Sequence, residues 1–145
     1  MEESMKNITK TMLAATLAIG VSATAHAAGA DDVEAAYQQW NEAFNSGDAA
    51  AVAASYTDDA IFLPPTHDVV EGPEGVQSFF DGLFQNGVTD HQLEVINVME
   101  DGDEIVAASR WSAKGGDGSD IGGIATHVFE RQDDGSLKLK LHTFN

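Results

Sequence analysis

Histidine is the side chain best suited to moving a proton near neutral pH, and it is also the commonest metal ligand. Beyond residue 27 the chain carries His67, His91, His127 and His142. Their spacings match no zinc signature and no two stand four apart on an expected helix, so no metal site and no cofactor are expected. His127 and His142 fall in the last two expected strands, where they can meet across a sheet. His127 reads equally as a pocket group with an acid or base role and as a hydrogen-bonded structural histidine. His67 follows Pro64-Pro65 in a loop, either over a pocket mouth or simply solvated, and His91 reads as an inert group at a strand end. Asp59, the second acid of Asp58-Asp59-Ala60, is an alternative acid or base, although an aspartate there more commonly holds a turn. Aromatic donors and walls come from Tyr37, Trp40, Tyr56, Phe62, Phe80 and Trp111. The Gly115-Gly116-Asp117-Gly118 run has no helix after it and cannot cradle a phosphate. Ser109, Ser112 and Ser136 lack the context of a nucleophile.

These groups need elements to position them. Val33, Ala36, Tyr37, Trp40 and Phe44 recur at helical spacing and define one apolar face, with Asp32 as the expected N-cap. Asn45-Ser46-Gly47 stops that helix, and Asp48 caps a second one over residues 49–56, which places Tyr56 at its end. A short strand at 60–63 ends at Pro64-Pro65, because consecutive prolines remove ladder donors. Gly72-Pro73 opens a third helix whose apolar side is Val76, Phe79, Phe80, Leu83 and Phe84. Strands follow at 92–99, 104–114, 121–131 and 137–144. In the second of these Ile105, Ala107, Ser109, Trp111 and Ala113 share one face. In the last, Leu137, Leu139 and Leu141 read as inward, which leaves Phe144 on the wrong parity unless a bulge falls between Leu141 and Phe144. Helices first and long strands afterwards give an α+β order in one domain.

Residues 1–27 read as a secretory signal: Lys6 and Lys10, a short apolar run at 11–21, then Ala25-His26-Ala27 before a cleavage point at Ala28. That makes the protein periplasmic or secreted, with the domain at 28–145. The chain has no cysteine, so a core rather than disulfides must stabilise it. The net charge of −17 repels nucleic acid and anionic membranes, and neither is an expected partner.

The segments WNEAFNSGD (40–48), YTDDAIFLPP (56–65), Val70-Glu71-Gly72 and DGSLKLKLHTFN (134–145), in that order and spacing, resemble the nuclear transport factor 2-like superfamily. Within it the chain is most similar to SnoaL-like and ketosteroid-isomerase-like proteins. The resemblance covers nearly all of residues 33–145. It implies a cystatin-like cone, in which a curved mixed or antiparallel sheet wraps around the N-terminal helices and encloses a pocket. Carried over residue by residue, the isomerase tyrosine donor falls on Trp40, its protonated aspartate on His127 and its catalytic base on Pro64. A proline has no acid–base capacity, so the resemblance does not extend to a steroid Δ-isomerase. The expectation is an exported binder of a small apolar or ketone-like molecule, with Tyr37, Trp40, Tyr56, Phe62, Phe80, Trp111, His127 and His142 around it. The alternatives are an isomerase, cyclase or epoxide-hydrolase-like enzyme using His127 or Asp59, and a non-catalytic dimeric interaction module. The resemblance also implies a homodimer formed through the outer sheet face, including the strand at 104–114.

Overall fold

The computed structural model describes residues 22–145, with side chains from Ala28 onward. Residues 1–21 of the expected leader at 1–27 lie outside the described residues; residues 22–27 and the expected cleavage point at Ala28 fall on the backbone of the first helix. Three helices, α1 (Ser22–Asn45), α2 (Ala49–Ala53) and α3 (Gly72–Gln85), lean against six strands: β1 (Tyr56–Leu63), β2 (Val70–Glu71), β3 (Thr89–Asp101), β4 (Glu104–Lys114), β5 (Asp120–Arg131) and β6 (Leu137–Phe144). The strand order is β2-β1-β6-β5-β4-β3. β1 and β6 run parallel and the other neighbours antiparallel, which makes the sheet mixed, curved and unclosed.

α1 buries Val33, Tyr37, Trp40 and Phe44, the face its periodicity requires. Asp32 is not its N-cap. The helix already runs through that point, and the Asp32 carboxylate instead accepts from Arg131 Nη1 at 2.8 Å, tying α1 to the end of β5. α2 does begin at Asp48, whose Oδ1 accepts from Ala51 N at 2.9 Å. It stops at Ala53, earlier than expected, and Tyr56 belongs to β1. The reason is tertiary: Tyr56 pairs with Leu139 of β6, and Leu139 N donates to Ser55 O at 2.8 Å, so the sheet claims backbone that a lone helix would have kept. Asp58 and Asp59 therefore lie within a strand rather than in a turn.

The parity conflict in β6 is resolved by a bulge, placed earlier than expected. Val128 pairs with Leu141 and Phe129 with Leu139, so Lys140 is the extra residue. Leu139, His142 and Phe144 then share the inner face, and Leu141 turns to the outer one. A second bulge in β3 leaves Ile96 unpaired and 54% exposed. A third sets Asp90 and His91 of β3 against Ala113 alone, with Asp90 at φ 56°. Positive φ is tolerable for an aspartate and rare for most side chains.

Candidate functional site

α1 and α3 close over the inner sheet face without filling it. The sheet offers small Ala113 and Ala125 there beside Trp111, and Trp40 of α1 and Phe80 of α3 line the opposite side. A cavity of about 210 Å³ remains. Phe44, Phe79, Leu83, Val88, Leu93 and Phe144 complete its apolar wall, and the exposed Pro65, Thr66 and Ile121 mark its mouth. Trp111 is fixed from behind, since its Nε1 donates to Asn145 O at 3.0 Å while Asn145 Oδ1 accepts from Ile124 N at 3.1 Å. Gly123 lies beneath that indole, and a Cβ there would collide with Asn145 O.

The only imidazoles in the wall are those of His91, His127 and His142. Each bonds to the protein through Nδ1. The Tyr37 hydroxyl meets His127 Nδ1 at 2.7 Å, with Ser109 Oγ at 3.4 Å from the same nitrogen. The Tyr56 hydroxyl meets His142 Nδ1 at 2.8 Å. The rings of His127 and His142 stand 4.4 Å apart between centroids. His91 Nδ1 lies 2.9 Å from Asn41 Oδ1, and the backbone of His91 is gripped by both ends of one amide: Asn45 Nδ2 donates to His91 O at 2.9 Å, and His91 N donates to Asn45 Oδ1 at 2.7 Å. The His91 ring lies parallel to Trp111, 5° between planes and 6.2 Å between centroids.

Burial keeps all of these groups neutral. It pushes His127 down to about 3, with the His91 charge acting in the same direction. It pushes His91 down to about 4. His142 lies well below its usual value, through burial first and then the charges of His127 and His91. Burial also pushes the Tyr37 phenol up to about 12 and raises Tyr56, so both keep their protons.

The hydroxyl partners favour one arrangement of those protons. Ser109 Oγ and the Tyr37 hydroxyl both face His127 Nδ1, and a Tyr37 proton directed at that nitrogen leaves the ring hydrogen on Nε2. Trp40 Nε1 is a buried donor without a partner among the described residues. Among the described residues the Tyr56 hydroxyl bonds to His142 Nδ1 alone, and a proton directed there leaves the ring hydrogen on Nε2. In that arrangement His127 and His142 carry hydrogen on Nε2. His91 faces a carbonyl-type oxygen, carries hydrogen on Nδ1, and has a bare lone pair on Nε2. Among the described residues, no group of His, Cys, Asp or Glu has the geometry to hold a metal ion.

Of the residues expected around the pocket, Trp40, Phe80, Trp111, His127 and His142 line the cavity together. Tyr37 and Tyr56 stand behind the wall and orient its histidines. Phe62 is also behind it, buried against Phe79, Phe80 and the His142 ring. Asp59 is not in the site. It is exposed on β1 and accepts from Thr57 Oγ1 at 2.9 Å, because strand alternation points it away from the core. His67 is exposed, at φ 67°. His91 is the correction of most consequence: expected at a strand end with no role, it is 7% exposed and forms part of the cavity wall. The signal in the sequence was Asn41 and Asn45, two amides one helical turn apart beside the apolar face of α1.

Fold and site together define a cone-shaped α+β protein built around an apolar, histidine-bearing cavity. The SnoaL-like domain model matches residues 37–138, and the chain belongs to that family. None of the curated proteins matches it in sequence. Solved structures show the same fold at low identity. A ketosteroid isomerase-like protein from Erwinia carotovora atroseptica is 21% identical, with 79% of this chain and 92% of that one covered and a TM-score of 0.65. An NTF2-like protein with a cystatin-like fold from Novosphingobium aromaticivorans is 15% identical over 85% and 84% of the two chains, at a TM-score of 0.70. A putative aromatic ring hydroxylase from the same organism is 20% identical over 82% and 89%, at 0.67.

Proposed function

We propose that this protein holds a small, neutral, largely apolar molecule, ketone-like in its polar group, inside the cone. The observation that carries this reading is the cavity, about 210 Å³ walled by aromatic and aliphatic side chains, whose polar groups are uncharged imidazoles. A dry apolar cavity of about 150 Å³ is large enough for benzene. The space here suits one substituted ring or two fused rings, and it encloses too little for a four-ring steroid. The lysine-poor, strongly acidic chain, with a secretory pattern at 1–27, fits an exported carrier. The outer sheet face supports a homodimer, since Met99, Val106, Val128 and Leu141 form one apolar row across four strands.

Thermal unfolding with one- and two-ring ketones tests the ligand reading. A ligand at 100 times its Kd stabilises by about 2.7 kcal/mol, a rise in Tm of roughly 10 °C for a domain of this size. Small ketones raise Tm and a four-ring steroid does not. The absence of any shift across the small compounds contradicts the reading.

A second reading, an isomerase-like enzyme, draws on the histidine group. His127 and His142 offer Nε2–H donors to a developing enolate oxygen, and His91 is the group with a free lone pair. Acid–base work falls to these side chains rather than to Asp59. Exchange of α-protons of a bound ketone in D2O, above the buffer rate, is the outcome that separates enzyme from carrier.

A further inference from the structure

The three imidazoles differ in what they can bind, and that difference is built by the fold. Two have Nδ1 against a tyrosine hydroxyl, at 2.7 Å for Tyr37–His127 and 2.8 Å for Tyr56–His142, and with each tyrosine proton on Nδ1 they present hydrogen on Nε2. The third presents a lone pair, because Asn41 Oδ1 accepts from its Nδ1 at 2.9 Å. No protein group bonds to Nε2 of any of the three among the described residues. The setting of His91 is specific. A bulge against Ala113 re-aims the residue inward, Asp90 takes φ 56° to allow it, and the Asn45 amide fixes the backbone from both sides. Bulges commonly re-aim a side chain beside a site, and a rare backbone conformation persists only where surrounding contacts over-determine it.

We infer that the cavity recognises a neutral aromatic molecule carrying two different polar groups, a carbonyl-type oxygen held by His127 and His142 Nε2–H and a hydroxyl that donates to His91 Nε2. This hydroxyaryl ketone class rests on the ligand reading above and narrows it. A ligand lacking the hydroxyl leaves a buried acceptor unpaired, and one lacking the carbonyl leaves two buried donors unpaired. A site built to hydrogen-bond a ligand discriminates strongly against analogues that cannot.

The test uses the folded protein and follows quenching of Trp40 and Trp111 fluorescence. The probes are 3- and 4-hydroxyacetophenone, acetophenone, 4-methoxyacetophenone and 4-ethylphenol. The better hydroxyacetophenone isomer binds at least ten-fold more tightly than acetophenone, the methoxy ketone or ethylphenol. His91→Phe removes the acceptor and reduces the preference for the hydroxyl to less than two-fold while acetophenone still binds. Asn41→Leu, on a half-buried helix position, provides the second comparison should His91→Phe not fold. It frees the His91 proton to move to Nε2, and the hydroxyl preference falls several-fold. If no probe binds the wild type, the ligand reading fails and this inference with it. If acetophenone binds as tightly as its hydroxylated forms, this inference alone is overturned. It is equally overturned if the hydroxyl preference survives in the folded variants.

Discussion

Acidification from pH 7 to pH 5 is the perturbation that most directly exposes the cost of burying three neutral imidazoles. In the unfolded chain each histidine titrates near 6.5; in the folded protein His91 does so at about 4, His127 at about 3 and His142 well below 6.5. The unfolded state therefore binds more protons than the folded one throughout this window. Stability is complete above about pH 6.5, falls as pH drops below it, and stops falling for each group only once its folded value has been passed. Between pH 7 and 5 His91 and His127 each contribute a loss of about 2 kcal/mol, about 4 kcal/mol together, and His142 shifts in the same direction. A domain of this size has only about 5–15 kcal/mol in total. The facing groups do not offset this, since Tyr37 and Tyr56 stay protonated and Asn41 and Ser109 are neutral. Urea unfolding followed by tryptophan fluorescence at half-unit pH steps measures the effect. Near pH 5 the slope corresponds to about two protons or more taken up on unfolding, and His91→Gln lowers it by nearly one. A wild-type slope below one proton refutes the neutral, buried assignment.

Other outcomes follow from the same packing. Ala113→Leu projects into the cavity opposite His91 and abolishes small-ketone binding, while urea unfolding shows stability within about 1.5 kcal/mol of wild type. Phe80→Ala removes a ring that packs on Trp40, Phe44 and Phe62, and denaturant titration shows a loss of about 3–5 kcal/mol. Val128→Asp places a charge in the outer apolar row without touching the cavity, and the proposed homodimer predicts that analytical ultracentrifugation finds a dimer for the wild type and a monomer for this variant.

Much of the fold was legible because local pattern and tertiary demand agree. The apolar face of α1, the Pro73 start of α3 and the inward set of β4 from Ile105 to Ala113 all follow from spacing alone. Where the two disagree, the sheet decides. Tyr56 reads as helical by its neighbours, yet pairing with Leu139, far along the chain, draws it into β1. Lys140 looks like one more outward lysine, and only the register against Val128 and Phe129 identifies it as the bulge that turns His142 inward. The candidate site was half legible for the same reason. Trp40, Trp111 and His127 sit at positions that periodicity orients toward a core, whereas strand alternation alone puts His142 outward with Lys138 and Lys140. His91 depends on a bulge, an aspartate at positive φ and two amides from α1, and strand periodicity carries none of these.

The central claim is that the cone is a binding site for a small neutral molecule, and native mass spectrometry of protein purified from its own host tests it most directly. The account predicts a non-covalent adduct of one or two rings, released by Ala113→Leu and lost on acidification to pH 5. Protein that carries no adduct, and acquires none when supplied with one- and two-ring ketones, contradicts it.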